Sequence, residues 1–251
     1  MRYVFFYSIL VVFYALAAGH SSFAQEKKYS ALIAVPHIAQ LVQKQADERW
    51  GGPLIDVLNR LAAKSELDFS VKVVPFKRAV VMTQDGVSDF GVFMESEKRD
   101  EIAIPVLKLG DAYYVIVSLA DTPITRMDQL KGKTVGQIRG GTTVRTLSAV
   151  PDITYKLFNK HEDGVRMLKG KRIDALLTAD FRVLEAIEQS HLQTHEIAKP
   201  LPIEARALWL YWSWHSKLPF EEVHKLRDGP AASVVGLDPS VLLSIFNQKN
   251  N

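Results

Sequence analysis

The sequence predicts an α/β protein of two similar lobes with a ligand cleft between them. Three observations carry this. Short apolar strands alternate with helical stretches along most of the chain, as in open α/β sheets. The same strand–helix–strand grammar then appears twice in tandem. Gly86-Val87-Ser88-Asp89 leads into one apolar strand, and Gly170-Lys171-Arg172-Ile173-Asp174 into another. Finally, a dense apolar strand over 205–214 comes after the second pass and reads as a return to the first lobe. Leaving and re-entering a lobe makes two crossovers, near 118–122 and near 203–206, and a double crossover is a hinge.

The first 24 residues are not part of the fold. Arg2 is a basic start, residues 3–18 are apolar, and Ser22-Phe23-Ala24 is a small-x-small cleavage pattern. The apolar run is short for a membrane span, so the expectation is secretion with cleavage before Gln25. Removing 1–24 from 251 leaves 227 residues, enough for two small lobes. The leader holds one Arg and no acid, so the net charge of +3 becomes +2. That balance argues against a nucleic-acid partner. With no Cys there is no disulfide framework, thiolate metal site or N-terminal lipid anchor. His191 and His195 lack a third ligand, so no metal or other cofactor is expected.

Residues 29–35 form a first strand ended by Pro36, with His37 at its carboxyl edge. Trp50-Gly51-Gly52-Pro53 is a loop, and Pro53 opens a helix in which Leu54, Ile55, Leu58 and Leu61 recur at helical spacing to about Lys64. A second strand spans 69–75. Lys77 to Asp85 has helical composition, with Gly86 where a C-terminal glycine belongs. Residues 89–93 are a buried strand, and Pro105 is read as ending the loop beyond it. Residues 112–117 are a strong strand. After a polar boundary, 134–138 starts the second lobe, and Arg139-Gly140-Gly141-Thr142-Thr143 precedes a helix to about Ala149. A strand over 154–158, a helix over 162–169 and a strand over 173–177 follow. Asp180 then caps a helix to about Ser190. Two helices, one from Phe220 and one from Asp238, close the chain.

Ligands in open α/β sheets sit outside the carboxyl ends of the strands. Arg99 stands there, just after the 89–93 strand, and its guanidinium is a fork for a carboxylate or phosphate. The competing reading is a surface ion pair with Asp100 or Glu101. Thr142 and Thr143, at a glycine-rich turn before a helix, suit the same anion, or are an ordinary turn with a threonine cap. Phe76, Trp50 and His37 could stack on a ligand. Arg78 could add a cation, or lie on a solvated helix face. No nucleophile elbow and no Ser/His/Asp arrangement is visible.

The chain resembles the bacterial extracellular solute-binding proteins of family 3, the polar amino-acid type of transporter receptor. The carriers are Ser96-Glu97-Lys98-Arg99-Asp100-Glu101-Ile102-Ala103, Leu130-Lys131-Gly132-Lys133-Thr134-Val135-Gly136, Gly141-Thr142-Thr143 and Gly170-Lys171-Arg172-Ile173-Asp174-Ala175. The resemblance implies the type II periplasmic binding fold, with Arg99 on a ligand carboxylate and Thr143 helping from the other lobe. It departs at Met94, where a hydroxyl residue is usual, and at Ala179, where an acid usually meets the ligand ammonium; Asp180 comes one residue late.

The expectation is therefore a monomeric, non-enzymatic periplasmic protein that binds a small anionic or zwitterionic solute. Its first lobe covers 25–118, its second 119–204, and 205–251 returns to the first. The partner is an ABC permease, or alternatively a sensor kinase. A cyclohexadienyl-dehydratase-like enzyme is the chemical rival, with Glu95 or Asp180 as its acid.

Overall fold

A computed structural model describes residues 29–38, 41–139, 144–190, 192–234 and 236–237. The leader at 1–24, Thr142, Thr143, His191 and the helix expected from Asp238 lie outside the described residues.

Ten strands and six α-helices are described. The first lobe is built from β1 (Tyr29–Pro36), the hairpin β2 (Gln43–Lys44) and β3 (Trp50–Gly51), α1 (Pro53–Lys64), β4 (Leu67–Val74), α2 (Phe76–Gln84), β5 (Phe90–Met94) and α3 (Glu97–Asp100). β6 (Ala103–Val117) leaves it. The second lobe has β7 (Thr134–Ile138), β8 (Thr154–Phe158), α4 (His161–Lys169), β9 (Ala175–Ala179) and α5 (Asp180–Gln189). β10 (Leu201–Ser213) returns, and α6 (Phe220–Asp228) follows.

Eight strands pair in the order β4-β1-β5-β10-β6-β9-β7-β8. The order is symmetric about the β10–β6 pair. On one side β1 pairs in parallel with β4 and β5; on the other β7 pairs in parallel with β8 and β9. The echo read in the sequence is thus an echo in space, with β5 and β9 equivalent. An aspartate clamps each copy. The Leu32 amide donates to Asp89 Oδ2 at 2.9 Å, and the Thr134 amide donates to Asp174 Oδ2 at 2.8 Å.

The two long antiparallel strands carry the chain between lobes. On β6, Leu109 and Ala112 belong to the first lobe's core, whereas Val115 and Val117 belong to the second's. On β10, Leu201 and Ile203 pack in the second lobe and Leu208 and Leu210 in the first. Ala112 stands opposite Arg206 and Tyr113 opposite Ala205, so both strands change lobes side by side. The change on β6 comes within the strand, five residues before the loop at 118.

Pro105 does not end a loop. It lies inside β6, opposite Tyr211. That segment of β6 pairs with β10 on one edge, while β9 reaches only Tyr114 to Val117 on the other, so a missing N–H is tolerated. Pro202 likewise sits within β10, beside a register shift. The helix expected up to Ala149 is instead a short 3₁₀ turn, Arg145–Ala149. β-Branched Val144, Thr146 and Val150 disfavour a longer α-helix, and Pro151 ends it. It is too short to offer a helix-dipole anion site. No helix among the described residues is long and apolar enough to cross a membrane.

Candidate functional site

A cavity of about 650 Å³ opens at the carboxyl ends of β5 and β9, where the two lobes face one another. The equivalent last residues of those strands, Met94 and Ala179, both line it. From the first lobe come Phe76, Lys77, Glu95, Ser96 and Arg99; from the second come Arg139, Asn159, His161, Thr178, Phe181 and Arg182. Its apolar lining includes Leu177 and Leu208, the latter opposite Met94 across the β10–β5 pair.

Arg99 sits on a shelf of aromatic rings. Its guanidinium carbon lies 5.4 Å from the Phe76 ring centre and 5.4 Å from that of Phe93. The two rings meet edge to face at 6.1 Å. Such faces attract a cation while leaving its N–H groups free to donate. No ion pair with Asp100 or Glu101 forms. The Asp100 carboxylate instead accepts the Tyr211 hydroxyl at 3.3 Å. Burial pulls the Arg99 guanidinium below its ordinary value, opposed by the nearby Tyr211. A half-buried cation with no carboxylate partner among the described residues is an invitation to an anionic ligand.

Across the cleft, Arg139 follows the last residue of β7, and its Nε donates to Asn159 Oδ1 at 3.2 Å. Asn159 and His161 follow β8 in the same way. His161 is held below its usual pKa by burial and by Arg182, so it is neutral near pH 7. Arg182 is already paired, its guanidinium 3.1 Å from Glu185.

Other expected residues lie elsewhere. Arg78 is exposed and does not line the cavity; the neighbouring Lys77 does, because the helical turn after Pro75 swings the two side chains apart. Trp50 lines an adjoining recess with His37, its ring 5.5 Å from the imidazole. Asp180 is neither the helix cap nor a cavity residue. Ala179 holds the cap position, and Asp180, 3% exposed, turns its carboxylate to the backbone. Its Oδ2 accepts the Tyr113 amide at 3.1 Å and its Oδ1 the Phe181 amide at 2.7 Å. Burial pushes its pKa up to about 6, despite those donors. It therefore ties α5 to the crossing strand and offers nothing to a ligand ammonium.

Asn159, His161 and Arg182 were not legible as site residues in the sequence, and Arg139 stood out only as the opening of the glycine-rich turn at 139–143. The rule that picked Arg99 finds them all: each lies within a few residues of the carboxyl end of a parallel strand. Among the described residues no group of three or more His, Asp or Glu side chains could hold a metal ion.

Neither protein-family models nor curated proteins match this chain. Solved structures do. The substrate-binding protein of an amino acid ABC transporter is 18% identical, with a TM-score of 0.56 over 88% of this chain and 94% of that one. The periplasmic VFT2 domain of Bordetella pertussis BvgS is 18% identical, with a TM-score of 0.64 over 87% of this chain and 92% of that one. A histidine kinase sensor domain similar to periplasmic binding proteins is 13% identical, with a TM-score of 0.60 over 90% and 92%. The fold of this chain is accordingly the two-lobed fold of periplasmic binding proteins.

Proposed function

We propose that this chain is a periplasmic solute-binding protein that captures a small carboxylate-bearing or amino-acid-like solute between its lobes. The observation that carries the reading is Arg99: half-buried, stacked on Phe76 and Phe93, and facing the cleft without a carboxylate partner among the described residues. A ligand carboxylate would complete its hydrogen bonds, and closure would strengthen the pair by excluding water. The chain leaves the first lobe along β6 and returns along β10, changing cores where Ala112 and Tyr113 stand opposite Arg206 and Ala205, and a cleaved leader covers 1–24. The captured solute passes to an ABC permease. Delivery to a sensor kinase is the second reading, favoured by the likeness to a histidine kinase sensor domain at a TM-score of 0.60. An enzymatic reading is weaker: Glu95 lines the cavity, but the other candidate acid, Asp180, is bound to backbone amides.

A thermal-shift screen against amino acids, carboxylates and phosphorylated metabolites tests this. A ligand that binds only the folded protein, present at 100 times its dissociation constant, adds about 2.7 kcal/mol of stability. Stabilisation by a carboxylate supports the reading. Stabilisation confined to solutes without a carboxylate contradicts it, and turnover of prephenate or arogenate would install the dehydratase in its place.

A further inference from the structure

The charges around the cavity do not balance, and the imbalance describes the ligand. Four cations line it: Lys77, Arg99, Arg139 and Arg182. Glu95 is its sole carboxylate among the described residues. Arg182 is neutralised by Glu185 at 3.1 Å. Among the described residues, Lys77, Arg99 and Arg139 are in no ion pair. Setting Glu95 against these three leaves two positive charges uncompensated. His161, held neutral, adds none.

The surplus is divided between the lobes. Arg99 and Lys77 stand on the first, Arg139 on the second, and all reach one cavity. Asn159, which accepts from Arg139 Nε, fixes that guanidinium beside the carboxyl end of β8. Met94, Leu177 and Leu208 make the lining apolar away from these ends, so the body of the ligand meets hydrocarbon. Among the described cavity residues the one carboxylate open to a ligand ammonium is Glu95, and it is outnumbered by the unpaired cations. Ala179 has no acid to offer, and the Asp180 carboxylate is committed to Tyr113 and Phe181.

Resting on the reading of this cleft as a carboxylate site, we infer that its ligand is an amine-free dicarboxylate whose two charged ends meet Arg99 on one lobe and Arg139 on the other. Such a solute is favoured over a monocarboxylate because it satisfies both lobes at once, and so it rewards closure. It is favoured over the amino-acid analogue because an ammonium would face surplus positive charge. Glu95 then acts as a like charge near the ligand and lowers its affinity.

The test is calorimetric titration with matched sets: butyrate, glutarate and L-glutamate, repeated along the straight-chain dicarboxylates from succinate to suberate and their monocarboxylate and α-amino counterparts. The best dicarboxylate is expected to bind about tenfold or more tighter than its matched monocarboxylate or amino acid. In Arg139→Gln that advantage disappears: the dicarboxylate loses about ten- to hundredfold and falls to the level of its matched monocarboxylate. In Glu95→Gln dicarboxylate affinity rises. Both substitutions are at the cavity wall, and thermal melts confirm that each variant is folded. An amino acid that binds as tightly as its dicarboxylate, and weakens in Glu95→Gln, overturns the inference; so does a dicarboxylate no better than its monocarboxylate. If the tightest ligand is one of those and is lost in Arg99→Ala, the carboxylate reading stands while the dianion falls. If no carboxylate binds at all, both fall.

Discussion

Arg99 and Phe76 form a stacked pair, guanidinium carbon 5.4 Å above ring centre, at the mouth of the cleft. Phe76 is 42% exposed, which is unusual for a phenylalanine with a free choice of partners. Its exposure makes sense if the ring serves the guanidinium and whatever that guanidinium holds. Phe93, the second ring of the shelf, is 2% exposed and belongs to the core.

The two rings should therefore separate function from folding. Phe76→Ala is expected to weaken ligand affinity about three- to thirtyfold, through lost cation–π support, while moving the denaturant midpoint little. Phe93→Ala is expected to cost about 3–5 kcal/mol of stability, as truncation of a buried phenylalanine does. Urea melts and ligand titration on both variants check this. Equal stability losses in the two would contradict it.

Gly91 supports the same shelf. A Cβ there would come within 2.3 Å of Thr83 Oγ1 and 2.4 Å of the Phe93 ring. Thr83 cannot yield easily, because its hydroxyl is bonded to the Ala79 carbonyl and to Ser88. Gly91→Ala should destabilise the fold by about 1–3 kcal/mol through overpacking and should tilt Phe93 away from Arg99. A stability loss accompanied by unchanged affinity would show that the shelf tolerates the shift.

The paired clamps Asp89 and Asp174 make an internal control. Asp89 also accepts the Ser216 hydroxyl at 2.7 Å, whereas Asp174 is 42% exposed and faces Lys133 at 3.6 Å. Asp89→Ala should cost about 1–3 kcal/mol, since it strands the Leu32 amide and a second donor. Asp174→Ala should cost less, because water can reach the Thr134 amide. Equilibrium unfolding of the two variants compares them, and the reverse order would contradict the account.

Asp180 should give stability a pH dependence of unusual sign. Its pKa is raised from 3.8 to about 6 in the folded protein. Between those values the folded state holds a proton that the unfolded state has released. Stability from this group is thus fully present below about pH 4, falls as pH rises toward 6, and is flat above. The swing is on the order of 2–3 kcal/mol. In Asp180→Asn it should vanish, so the stability of the variant relative to wild type should rise by that amount from pH 4 to pH 6. A difference that stays level with pH would contradict the assignment.

Much of the fold was legible because its short strands end in clear punctuation. Pro53 opens α1, Gly86 closes α2, and β7 and β8 begin and end where their apolar runs do. The tandem echo, weak as identity, became the mirror order of the sheet. The long strands were not legible, since Pro105 and Pro202 read locally as stops. Only the pairing of β6 with β10, distant in sequence, shows that the missing amides are affordable there. At the site, Arg99, Phe76 and Met94 stood out because each lies at or just past the carboxyl end of a short, clearly punctuated strand. Arg139, Asn159 and His161 answer to the same rule on the other lobe, but which strands face across a cleft is a tertiary fact. Asp180 misled because a residue one step past a strand can turn inward: its neighbours Tyr113 and Phe181 supply the donors that take it there.

The most direct test of the account is ligand titration of Arg99→Ala against wild type, using the tightest carboxylate the screen finds. If Arg99 is the anchor, the variant should melt near the wild-type temperature without ligand and lose about a hundredfold or more in affinity, as expected for a charged hydrogen-bonded pair in a cleft closed to water. An unchanged dissociation constant in a folded Arg99→Ala protein would contradict the central claim.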